Sequence, residues 1–249
     1  MPDARNFGTL DVANFTVGAM LRVGIAIRKA LRGSTSLQEA ADTLCHLLYD
    51  SCVESDSGER SCALVRFYKT HPYGQLPLDD RRFAAAQVGG EAPDDEMRCL
   101  TLLGTAGDLP EWNARESSRG HRAIALPSAE RIRSAPMILQ LFQELGVNVE
   151  HFVSGPAAAR AGETRTYDVF HVEHAGGSPF IPAQREFVEP HGIRSVVGFG
   201  GLLRSGELFA LILFSKTTIP TPSAARFRTI ALDVRSSLYS LDETVTWRT

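Results

Sequence analysis

Leu10, Val17 and Leu31 share one heptad register with Gly24, and Ala13, Met20 and Ile27 fill the positions three residues further on. That pattern predicts a helix over residues 10–31 with a coiled-coil-like apolar seam. Beyond Gly33, Ser36-Leu-Gln-Glu39 has the spacing of a capping box, and Leu37, Ala40, Ala41, Leu44, Leu47 and Leu48 fall on one helical face. A second helix over 37–52 follows, because a Ser cap and a Glu three residues on satisfy amides that the first turn leaves open.

The pattern then changes. After the polar run 54–60, Cys62-Ala-Leu-Val-Arg-Phe-Tyr68 has the length and composition of a strand, as does 98–105. Between them, residues 71–95 are rich in Gly, Pro and Asp and predict loop with a short helix near 81–86. Residues 107–122 show no apolar period and predict a long binding loop or lid. Ser128 can cap a turn, and Pro136 opens a helix carrying Met137, Ile138, Leu141, Phe142 and Leu145 up to Gly146. Short strands are predicted at 149–154 and 166–172, and two stronger ones at 194–199 and 208–214 around the turn Arg204-Ser-Gly206. Thr221 and Pro222 open a final helix with the stripe Phe227, Ile230, Val234, Leu238 and Leu241. This order predicts an α+β fold, an antiparallel sheet bracketed by amphipathic terminal helices, rather than parallel β-α units.

Composition narrows the function more than the fold. With 249 residues, 43% of them apolar, the chain can bury a full core. Its net charge of -3 provides no broad basic field for nucleic acid. No run approaches the roughly 18 apolar residues of a membrane span, and the start has no signal-peptide pattern, so a cytoplasmic protein is expected. Cys45, Cys52, Cys62 and Cys99 lack C-x-x-C spacing and sit among apolar neighbours, which reads as buried free thiols.

A resemblance adds to this. The segment GIRSVVGFGGLLRSGELFALILFSK (192–216), followed by a terminal helix, resembles the closing hairpin of GAF domains, and the order of elements is similar across residues 37–241. Ser178-Pro-Phe-Ile-Pro182-Ala-Gln-Arg185 also looks like the Asp-Ile-Pro-x-Gln-x-Arg segment that lies against a bilin in phytochrome GAF domains. Phe180 stands where that subfamily has Asp, and all four cysteines precede residue 100, so the attachment thiol has no counterpart. The Asn-Lys-x-Phe…Asp-Glu signature of cyclic-nucleotide GAF domains is absent. Bilin, cyclic nucleotide and haem are therefore disfavoured cofactors, and the ligand is left unassigned. The resemblance implies a PAS- or GAF-like sensory module with a ligand cavity between the sheet and a cap of loops, and a homodimer through the terminal helices. Residues 1–35 then form a dimerisation and signalling segment, 36–242 the ligand-sensing domain, and 243–249 a tail or link to an output region. The chain reads as an input module of a signal-transduction protein such as a histidine kinase, or as acting on a separate partner kinase.

Candidate ligand contacts follow. Trp112, Arg115, Arg119, His121 and Arg122 cluster in the expected lid, where an indole and guanidinium groups can close over an anionic or planar molecule, or pair with Asp108, Glu111 and Glu116. Phe180, Ile181 and Pro182 are expected along the cavity wall, and Arg194 enters a strand from the same loop. His171 and His174 would share a face only on a helix; on a strand they diverge, which disfavours a metal site while leaving His171 as a contact. No nucleophile-elbow, P-loop or zincin motif is present. Some GAF-fold proteins reduce free methionine sulfoxide with cysteines, but Cys62 and Cys99 lie in apolar strands, where thiols tend to be inert. The expected function is non-catalytic small-molecule sensing, the alternative an interaction module without ligand.

Overall fold

A computed structural model describes residues 8–89, 93–118, 120–161, 169–242 and 246–247. Its strands are β1 (Cys62–Pro72), β2 (Arg98–Gly107), β3 (Ala123–Leu126), β4 (Phe170–Val172), β5 (Ser195–Leu202) and β6 (Leu208–Ser215). They form one antiparallel sheet in the order β3-β2-β1-β6-β5-β4. The long apolar runs become β1, β2 and the β5–β6 hairpin because both faces of these strands are covered.

Alternation along β1 separates two cores. Val65 and Phe67 face helices α1 (Val17–Ala30), α2 (Leu37–Ser51) and α9 (Phe227–Leu238), where Phe67 stacks on Phe209 at 5.9 Å and Phe227 meets Phe15 at 4.9 Å and Phe199 at 5.2 Å. Leu64 and Tyr68 face the other way, into a cluster with Phe142, Phe152 and Phe170. Each fully buried Phe is worth about 1.5–3 kcal/mol relative to exposure. Helix α2 crosses β2 so closely that a side chain at Gly104 would stand 2.5 Å from the Ala41 carbonyl oxygen. Helix α1 packs on α9 in a similar way: the Asp233 carboxylate fills the space over Gly24 and pairs with Arg28.

Several elements differ from the sequence pattern. The first helix starts at Val17, not at residue 10, because Asp11 folds the chain into a turn by accepting from the Ala13 and Asn14 amides at 3.1 and 3.0 Å, and Thr16 then caps the helix. Leu10 is extended and donates to the Ser51 carbonyl at 2.7 Å. The expected strand at 149–154 is the short helix α6 (Val149–Val153), capped by the Asn148 side chain on the His151 amide at 3.0 Å. Strand β4 is shorter than 166–172, whose first three residues lie outside the described ones. β1 continues to Pro72, and α3 (Leu78–Val88) is longer than the helix expected at 81–86. The last helix is divided into α8 (Thr221–Ala224) and α9.

At the far end of β1 the chain buries charge. Glu207 accepts from Thr70 at 2.6 Å and from Arg98 at 3.0 Å; Asp242 accepts from the Ser205 amide and hydroxyl, both at 2.8 Å. The Gln38 amide donates to the Thr246 carbonyl at 2.9 Å, and Trp247 lies 5.4 Å from the His71 ring. Burial, reinforced by the charges of Lys69 and Arg115, pushes the His71 imidazole well below its ordinary 6.5. The unfolded chain takes up this proton near pH 6.5 and the folded chain refuses it, so stability falls as pH drops below that value. His71→Gln is expected to flatten this acid slope by up to about 1.4 kcal/mol per pH unit, read from urea titrations between neutral and mildly acidic pH.

Candidate functional site

The second face of the sheet is covered by α4 (Ala129–Arg133), α5 (Pro136–Glu144), α6, α7 (Pro156–Ala161) and the segments 107–122 and 173–192. Segment 107–122 does not hang free. Its single turns at Pro110–Trp112 and Arg115–Ser117 are pinned by Asn113, whose amide donates to the Gly107 and Leu109 carbonyls, both at 2.9 Å, and accepts from the Gly107 amide at 3.0 Å. The Thr105 hydroxyl donates to the Trp112 carbonyl at 2.8 Å. Arg115 is buried, donating to the Leu102 carbonyl at 2.8 Å and to Asp80 of α3 at 2.5 Å, and Arg122 meets the other Asp80 oxygen. Two of the three arginines expected to close over a ligand, Arg115 and Arg122, thus bind α3 through Asp80.

Within segment 173–192 the Gln184 side chain makes three ties. Gln184 accepts from the Gly177 amide at 2.8 Å and donates to the carbonyls of Ala175 at 3.0 Å and Ile181 at 2.6 Å, just where the chain enters a π-turn at Gln184–Val188. That turn presents Phe187 and His191 to Trp112, with ring separations of 5.6 and 4.5 Å, while Phe187 stands edge-on to Phe214 of β6 at 4.9 Å. The two cap loops meet through these rings.

Below them, Arg66 lies between Leu64 and Tyr68 on β1, opposite Thr105 of β2 and Ile212 of β6. Alternation puts its side chain on the capped face. Arg66 is half-buried, its Nε is enclosed without a hydrogen-bond partner, and its Nη1 reaches only the Tyr68 hydroxyl, at 3.4 Å.

The expected contacts distribute unevenly. Trp112 is half-buried at the loop junction, Ile181 is buried in the cap-side core, Phe180 stands 6.4 Å from Phe170, and Pro182 is exposed. His121 is exposed before β3, and Arg119 lies outside the described residues. His171 points to the opposite face from Phe170 and Val172, with its Nε2 at 2.8 Å from the Ile219 carbonyl oxygen. Arg194 is exposed and lines a cavity of about 470 Å³ with Glu54, Glu59, Arg60, Lys216 and Thr217 at the sheet end. Groups there pair among themselves or with flanking residues: Thr217 donates to Glu54 at 2.6 Å, Arg60 to the Tyr49 carbonyl at 2.7 Å, and Lys216 to Asp108 at 2.8 Å. Arg66, Phe187 and His191 were not among the expected contacts, although a lone cation inside the apolar run 62–68 is a signal that the sequence carries.

The four cysteines are buried and free. Burial pushes the Cys99 thiol up to about 12 and the Cys45 thiol well above the usual range; Cys52 is raised first by its hydrogen bond with Cys62 and then by burial. No helix among the described residues is long and apolar enough to cross a membrane.

No protein-family model matches the chain, and no curated protein matches it in sequence. Solved structures do. The free methionine-R-sulfoxide reductase of Neisseria meningitidis, in complex with its substrate, superposes with a TM-score of 0.52 over 96% of this chain and 99% of its own, at 10% identity. The GAF domain of an Acinetobacter phosphoenolpyruvate-protein phosphotransferase covers 89% and 93% at 13% identity, with a TM-score of 0.45. A phycocyanobilin-bound GAF domain of a cyanobacterial phytochrome covers 89% and 94% at 12% identity, with a TM-score of 0.46. The fold is GAF-like. In this GAF-like chain the sheet carries α1, α2 and α9 on one face and the cap, with the Trp112 junction, on the other.

Proposed function

We propose that this chain is a GAF-like sensory domain that takes a small molecule between its sheet and its cap, without catalysis of its own, and signals through association of its terminal helices. The observation that carries the reading is the junction of two separately pinned loops at Trp112, Phe187 and His191, above a strand that offers Arg66. Aromatic walls with few polar groups are the usual make-up of ligand sites. The buried, high-pKa thiols support a binding role over thiol chemistry, since the thiolate is the reactive form.

An exposed apolar stripe supports a homodimer. Val17, Leu21 and Ile25 on α1 are 56, 58 and 58% exposed, and Leu232 and Tyr239, on and just beyond the adjacent α9, are 44 and 58% exposed. The spacing of four along α1 makes one face of a helix. Residues 1–35 would then carry the dimer contact, 36–242 the sensing domain, and 243–249 the link to an output region or partner kinase. Ile25→Glu is expected to convert a dimer into a folded monomer, measured by sedimentation with circular dichroism as the control for folding. Native mass spectrometry and a thermal-shift screen of metabolites test the ligand role. A retained or stabilising molecule is the expected result; a complete screen without one, with the dimer intact, would leave an interaction module instead.

A further inference from the structure

We infer that the cavity at the sheet end binds a small zwitterion, with its anionic group on Arg194 and its ammonium on Glu59. None of the lining residues belongs to the Trp112 junction, so this site goes beyond the cap-side reading above and does not rest on it. The room is already there. The cavity measures about 470 Å³, within the usual range of small-molecule sites. Main-chain bonds fix its walls: the Lys216 amide donates to the Ser61 carbonyl at 2.7 Å, and the Arg194 amide to the Ser215 carbonyl at 2.8 Å. Val53 and Arg60 form an antiparallel bridge at the base of the 54–59 turn, so the cavity is framed by the ends of β1, β5 and β6.

Four of the six lining side chains already have partners. Glu54 accepts from Thr217 at 2.6 Å and from Ser57 at 2.9 Å; Arg60 donates to the Tyr49 carbonyl at 2.7 Å and lies 4.2 Å from the centre of its ring; Lys216 meets Asp108 at 2.8 Å. Arg194 and Glu59 remain. Both are exposed, and neither side chain hydrogen-bonds or forms an ion pair among the described residues; Arg194 feels the charge of Glu54 without bonding to it. These two uncommitted charges are opposite in sign, and no lining side chain is aliphatic or aromatic. An apolar body therefore finds no matching surface. A single exposed charge contact contributes little, whereas a molecule that meets both charges makes two charge-assisted hydrogen bonds at once.

The test uses the full chain at low ionic strength with β-alanine, 4-aminobutyrate and 6-aminohexanoate, which vary the separation of the two charges. Butyrate and butylamine carry one charge each. Isothermal titration should show saturable binding of at least one amino acid of the series with a dissociation constant of about a millimolar or below, and binding at least about tenfold weaker for the two single-charge probes. Arg194→Gln and Glu59→Gln should each weaken the zwitterion by about tenfold while circular dichroism stays unchanged, since both side chains are exposed. Butyrate binding as tight as that of the amino acids would make this a plain anion site and overturn the inference. Zwitterion binding that both substitutions spare and Trp112→Ala removes would place the molecule under the cap, overturning this site and supporting the sensory reading. Absence of binding across the series would also overturn it, while the cap-side reading would still be decided by the metabolite screen.

Discussion

Asp80→Ala is expected to lower stability by about 3–5 kcal/mol, among the largest losses for a single side chain in this protein. The Asp80 side chain is fully buried and is the shared acceptor of two guanidinium groups, one from each half of segment 114–122. Without it Arg115, whose side chain is 6% exposed, keeps its charge and its bond to the Leu102 carbonyl but loses its counter-ion. The consequence is not confined to stability. Arg115 lies three residues beyond Trp112, so the loop that presents the indole to Phe187 and His191 loses its anchor on α3. Asp80→Asn, which keeps the shape and drops the charge, should fall between the two. Urea unfolding followed by Trp fluorescence measures both effects. A loss below about 1 kcal/mol would mean that the triad behaves like a surface ion pair and does not hold the loop.

Gly104→Val is expected to cost about 3 kcal/mol or more, a large share of the stability of an ordinary domain. Any Cβ at this position would stand 2.5 Å from the Ala41 oxygen and 2.7 Å from the Asp42 nitrogen. These are main-chain atoms in the middle of α2, so no rotamer change relieves the clash. The helix has to lift from β2, opening the core between Leu44, Leu103 and Ala106. Gly104→Ala should show the same direction with a smaller loss. Thermal melts of the two variants, with a near-wild-type far-ultraviolet spectrum for the alanine protein, would establish that helix-to-sheet spacing is the cause. An unchanged melting point for Gly104→Val would show that α2 and β2 have slack that the packing does not suggest.

The elements that could be read from the sequence are those fixed by local chemistry. Ser36 capping α2, Pro136 opening α5, and the turn at Gly206 between two apolar runs each act within a few residues, and the antiparallel α+β architecture follows from their order. Misreadings arose where two local signals competed. The heptad spacing from Leu10 is real, but Asp11 turns the chain before a helix can form, and Val149-Glu-His-Phe-Val153 has strand-like composition under an Asn148 cap. How the polar segment 107–122 is held could not be read from the sequence, because its partners are distant: Asp80 precedes Arg115 by 35 positions, and no spacing rule connects them. The same holds for the site. The meeting of Trp112 with His191 is a property of the folded sheet end, whereas the strand alternation that turns His171 away from the cap was available from the sequence.

The bare backbone at Gly24 has one more consequence. With the Asp233 carboxylate seated against it and held by Arg28, α1 and α9 are keyed together like a tooth in a notch. Sliding either helix past the other by a turn would drive that carboxylate into a neighbouring side chain and break its ion pair. The seat therefore sets the register of α1 on α9, and a shift of either helix alone would have to empty it.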